Sequence, residues 1–183
     1  PLFNTDELAN YLKFNAKILA DDHIAYDEIE GHELINVYVP FVNINNYIYD
    51  LFGEFIFKHH GTVMVQSLLK EYTGKQVICY AHVSEQQLDI TVVANNKLLL
   101  FNNFDYTTQE DFLYYLLFTL EQLKLSPETV HLRLFGDVEE DDAIFKLCYS
   151  YVMNVIIFTP KHTADLISTA DSESIDFTVL NAL

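Results

Sequence analysis

The side chains that could do chemistry in this chain are mainly carboxylates, with a few histidines and two cysteines, and their spacing decides what is open to them. Asp137, Glu139, Glu140, Asp141 and Asp142 follow Gly136 in one acidic run. Such a run solvates a turn and favours the positive end of the next helix, a role that competes with chelating a metal. Asp21, Asp22, Asp27, Glu28, Glu30 and Glu33 mark a solvated edge with turns, since a calcium loop needs a tighter Asp/Asn spacing. His59 and His60 fall at a strand-to-helix corner, where adjacent side chains diverge, so they make poor joint metal ligands. His82 and His131 lie in strand patterns as satisfied histidines. No Ser/His/Asp order, Gly-x-Ser-x-Gly elbow, Walker loop or Cys-x-x-Cys occurs. Cys79 and Cys148 sit in apolar periodic segments and are expected as buried, reduced core residues.

Composition narrows the function classes further. The 183 residues carry 27 acidic against 10 basic side chains, a formal net charge of −17. A surface of that sign repels phosphate backbones and anionic lipid, which argues against nucleic-acid partners. Half of the residues are hydrophobic, with 14 Phe and 12 Tyr, and only 5 Gly and 4 Pro occur, so a large core and short connections are expected. No apolar run approaches the ~20 residues that span a bilayer, and no signal peptide opens the chain, so no membrane insertion and a cytoplasmic setting are expected. The opening Pro1-Leu2, without Met, suggests a piece of a longer protein.

These residues must be positioned by an alternation of strands and helices. Asn4 or Thr5 caps a first helix, and His23 to Tyr26 is a short strand. Leu34 to Phe41 is a strand ended by Pro40. Asn43 caps a helix to Leu51 with Ile44, Ile48 and Leu51 or Phe52 inward, and Phe55 to Lys58 is strand-like. Thr62 caps a third helix that Gly74 stops. From Gln76 to Phe158 the pattern is strand, strand, strand, helix, strand, helix, strand. Residues 77–83 alternate as a strand covered on both faces, Ser84 to Gln87 turns the chain, and 88–93 returns. Asn95-Asn96 supplies the left-handed residues of a tight hairpin before a strand at 97–101. Thr107 and Glu110 form a capping box for a nearly buried helix at 108–124. A strand through Val130, Leu132 and Leu134 that ends at Gly136 follows, then a helix from Asp141 or Asp142 with Ile144, Leu147, Cys148, Tyr151 and Val152 inward, and a strand at 155–158. The tail from His162 reads as a loop or helix turn, a Ser/Asp-rich break and a short apolar end from Phe177 to Leu183. A meander of three strands followed by two helical crossovers folds most simply as one five-stranded mixed sheet with helices on its faces. That is an α/β lobe of the actin-like ATPase or ribonuclease-H-like kind.

Particular motifs carry a resemblance as well. Leu34-Ile35-Asn36-Val37-Tyr38-Val39-Pro40, Asn43 to Tyr47, Phe52-Gly53-Glu54-Phe55 and Lys58-His59-His60 form one part of it. Leu99 to Tyr106 and Glu110 to Tyr115 form the other. Together they resemble a bacteroidete domain-of-unknown-function family with an actin-like ATPase fold. The resemblance implies that residues 1–75 are the later part of a first lobe, its opening strands absent from this chain, and that 76–183 are a second ribonuclease-H-like lobe.

It also implies where nucleotide loops would lie. Actin-like ATPases hold phosphate on a glycine-containing hairpin between the first two strands of each lobe, because backbone N–H groups must approach the anion closely. The matching hairpin here, His82 to Gln87, has no glycine and places Ser84 and Glu85 at that position. The matching adenosine turn has Gly136 followed by Asp137 in place of two glycines. A ribonuclease-H-like nuclease would need a metal-binding carboxylate on the first strand, and residues 77–83 have none, so Asp89 and Asp137 cannot rebuild that site. Two functions stay open. One is a non-catalytic interaction or scaffold protein with degenerate phosphate loops, acting through a protein partner or self-association and taking no cofactor. The other is a two-lobed switch that binds ATP and Mg2+ through Ser84, Glu85, Gly136 and Asp137 together with residues outside this chain.

Overall fold

The computed structural model of the protein describes residues 3–14, 16–19, 21–160 and 177–181. The chain divides into two compact units, one running to Gln66 and the other from Ser67 to Asn181.

In the first unit, the Asn4 side chain accepts the Asp6 N–H and caps a 3-10 turn at Thr5–Glu7, which leads into α1 (Leu8–Leu12). β1 (Ala25–Ile29) and β2 (Leu34–Tyr38) form an antiparallel pair with Ala25 opposite Tyr38 and Ile29 opposite Leu34. Asp27 on β1 ties this unit together. Its carboxylate accepts the Tyr38 hydroxyl at 3.0 Å, the His59 N–H at 2.8 Å and the Thr62 hydroxyl at 2.7 Å. Asn36 Nδ2 in turn donates to Thr62 Oγ1 at 3.0 Å. Burial, and then the charge of Asp27, push the Tyr38 phenol well above its ordinary value.

Several expectations for this unit change. α2 spans Val42–Phe52 with Phe41 at its N-cap and no side-chain cap, so Asn43 lies inside the helix. None of the α2 residues is buried, and Ile44, Leu51 and Phe52 are exposed where they were expected inward. Residues 55–58 form no strand. α3 begins earlier, at His60 (His60–Glu71), and the His59 ring nitrogen Nδ1 accepts the Gly61 N–H in its first turn. Thr62 is therefore free of the capping role and serves Asp27, a tertiary partner that local capping rules do not reveal.

The second unit is a five-stranded sheet in the order β5-β4-β3-β6-β7. β3 (Ile78–Ser84), β4 (Gln87–Ala94) and β5 (Lys97–Asp105) form an antiparallel meander. Asn95 and Asn96, both left-handed at φ 51° and 58°, make the hairpin between β4 and β5 as expected. α4 (Gln109–Gln122) crosses to β6 (His131–Gly136), parallel to β3. α5 (Ala143–Tyr151) then crosses to β7 (Asn154–Ile157), parallel to β6. The short helix α6 spans Phe177–Leu180. The turn and Ser/Asp-rich break expected over 162–176 lie outside the described residues.

One face of the sheet packs Cys79, Ala81, Val83, Leu88, Ile90, Val92, Leu132 and Leu134 against Phe112, Leu116 and Leu120 of α4 and Cys148 of α5. β3 is buried on both faces from Ile78 to Val83, as its unbroken apolar character requires. The capping box of α4 is Thr108 with Asp111, one residue later than expected. Thr108 Oγ1 accepts the Asp111 N–H, and the Asp111 carboxylate accepts the N–H of Thr108 and of Thr107. Those hydrogen bonds, led by the ones from Thr108, hold the Asp111 carboxyl below its ordinary value. α4 is less enclosed than expected, with Tyr114 and Phe118 exposed, and Tyr151 at the end of α5 is exposed too.

Both cysteines are free and buried in the second unit, and burial pushes each thiol up to about 12. An unfolded thiol ionises near ~8.5. The folded state is thus at full strength below that pH and weakens as pH rises toward the folded value, because only the unfolded chain releases these protons easily. The native protein is expected to leave Ellman's reagent unconsumed at pH 8 and to release two thiols once denatured; reaction of the native protein at the rate of the denatured one would contradict the burial.

Candidate functional site

The parallel register of β3 with β6 sets Val83 opposite Gly136 at the carboxyl ends of both strands. In α/β sheets, ligand sites gather at such ends, where neighbouring strands send the chain in different directions. The Asp137 N–H donates to the Val83 carbonyl at 2.8 Å, so the turn after β6 is fastened to the start of the β3–β4 hairpin. The two loops singled out in the sequence therefore meet at one end of the sheet.

The hairpin closes through Ser84 opposite Gln87, with Glu85 and Gln86 as its two-residue tip. Neither tip residue is left-handed, since the described non-glycine residues with positive φ are Asn95, Asn96 and Lys124. Several polar groups of the tip are engaged within the fold. Ser84 Oγ donates to the Gln87 carbonyl at 3.3 Å, Tyr106 Oη donates to the Ser84 carbonyl at 3.0 Å, and the Tyr106 N–H donates to the Gln86 carbonyl at 3.0 Å. Beside the tip lies a cleft of about 690 Å³, lined by Ser84, Glu85, Gln86, Gln87, Asp105, Tyr106 and Thr107. Two carboxylates and no basic side chain face it. Burial, and then the charge of Asp137, raise the Tyr106 phenol above its ordinary value, so a third carboxylate acts on the same region.

Gly136, at the turn that matches the adenosine element, has a packing reason to be glycine. Its φ is +89°, and a Cβ there would stand 2.3 Å from the Val83 carbonyl oxygen and 2.9 Å from Cδ2 of His82. The residue is small because β3 runs directly against it. Ser84 and Glu85 line the cleft, whereas Gly136 and Asp137 flank it from the end of β6. Arg133, the only arginine, does not line it. Its guanidinium lies over the rings of Tyr80 (5.5 Å) and Phe158 (5.2 Å) and donates to the Tyr80 hydroxyl at 3.2 Å.

A polar row within the sheet escaped the sequence reading. His82, Asp89 and Asn103 stand side by side on β3, β4 and β5. Asp89 Oδ2 is 3.2 Å from His82 Nδ1, and Asn103 Nδ2 donates to Asp89 Oδ1 at 2.7 Å. His82 and Asp89 are each 3% exposed, and the imidazole packs against Phe135 at 4.9 Å. A signal for the pairing was present. With a two-residue tip at 85–86, antiparallel register places residue 82 opposite residue 89. A buried carboxylate is tolerated only when its oxygens are bonded, and here each oxygen has its own strand neighbour. Asp89→Ala removes that partner from the buried His82 and is expected to destabilise the protein by roughly 2–4 kcal/mol in urea unfolding. A change below about 0.5 kcal/mol would show that the row contributes little.

Comparison with known proteins follows the same line as the geometry. Residues 1–155 match the family described as protein of unknown function, DUF3822. No curated protein matches the chain. A solved structure from Bacteroides thetaiotaomicron, described as a protein with an actin-like ATPase fold and unknown function, is similar with a TM-score of 0.76 and 21% sequence identity. That similarity covers 86% of this chain but 62% of the other, so the chain spans well under the full length of its structural neighbour. At this identity the likeness shows the fold alone, which is the actin-like ATPase fold that the sequence motifs implied.

Proposed function

Because the chain belongs to the DUF3822 family, whose function is not established, and has an actin-like ATPase fold, we propose that it is a non-catalytic interaction or scaffold protein whose phosphate loops are degenerate. One observation carries this reading: the β3–β4 tip presents Glu85 where a phosphate would need glycine N–H groups. A phosphate charge about 5 Å from one carboxylate meets roughly 3 kcal/mol of repulsion at an effective dielectric of 20, and Asp105 in the same cleft adds to it. The hydroxyl of Ser84, a donor that a phosphate could use, is instead turned to the Gln87 carbonyl within the hairpin.

Its work is then done through a protein partner or through self-association, without nucleic acid, for which the −17 charge is unsuited. A cytoplasmic location agrees with two free buried thiols, and no helix among the described residues is long and apolar enough to cross a membrane. The second reading, an ATP-dependent switch, is favoured by the cleft itself, about 690 Å³ at the end of the sheet where such folds bind ligands.

Thermal unfolding with Mg-ATP separates the two. A ligand at a hundredfold its Kd stabilises by about 2.7 kcal/mol, several degrees in Tm for a chain of this size. No shift is expected up to millimolar Mg-ATP; a saturable rise of several degrees would favour the switch.

A further inference from the structure

We draw no further inference here: the strongest candidate, the exposed apolar surface of α2 formed by Ile44, Tyr47, Leu51 and Phe52, carries nothing because nothing in the structure shows what covers it.

Discussion

The parallel pairing of β3 with β6 determines which loops of the second unit can act together. β3 is bonded on both sides, to β4 and to β6, and is buried on both faces. A strand held in that way cannot slip by one residue without turning its core side chains out to the opposite face. Its register therefore sets Val83 against Gly136, draws the Asp137 N–H to the Val83 carbonyl, and places Ser84 and Glu85 at the mouth of the cleft. The same register forbids a side chain at Gly136, because the Val83 carbonyl occupies the space. The antiparallel side of the same strand aligns His82 with Asp89 and, through β4, with Asn103.

On the proposed reading, the side chains that this frame delivers at the hairpin tip are of the wrong kind for phosphate. Glu85 and Asp105 face the cleft, Asp137 acts on it through Tyr106, and the single arginine lies over the rings of Tyr80 and Phe158. An anion site needs N–H donors and positive charge, and the lining of this cleft carries two carboxylates and no basic side chain. The glycine that remains after β6 is explained by packing. On the proposed reading fold and chemistry separate, and the fold alone is a poor guide to activity.

The sheet was legible in the sequence because its signals are local. Alternating apolar residues marked β3 and β4, Asn95-Asn96 marked the hairpin, and the strand–helix–strand spacing left one plausible crossover topology. β5 runs on to Asp105, four residues past the expected end, because pairing with β4 carries it through Asn102 and Asn103, which have weak strand preference of their own. The first unit was less legible. Thr62 has the character of a cap but donates to Asp27, a residue 35 positions earlier, and α2 has an inward stripe by periodicity yet buries none of it. Both depend on distant partners that no local pattern encodes. The cleft was legible at the hairpin tip but not in Asp105, Tyr106 and Thr107, which reach it only because β5 is longer than its apolar run.

The central claim, that the hairpin tip no longer grips phosphate, is tested most directly residue by residue. In a 15N–1H correlation spectrum titrated with Mg-ATP to several millimolar, the amides of Ser84, Glu85, Gln86, Tyr106 and Asp137 are expected to stay where they are. A saturable shift gathered on those five amides would contradict the account.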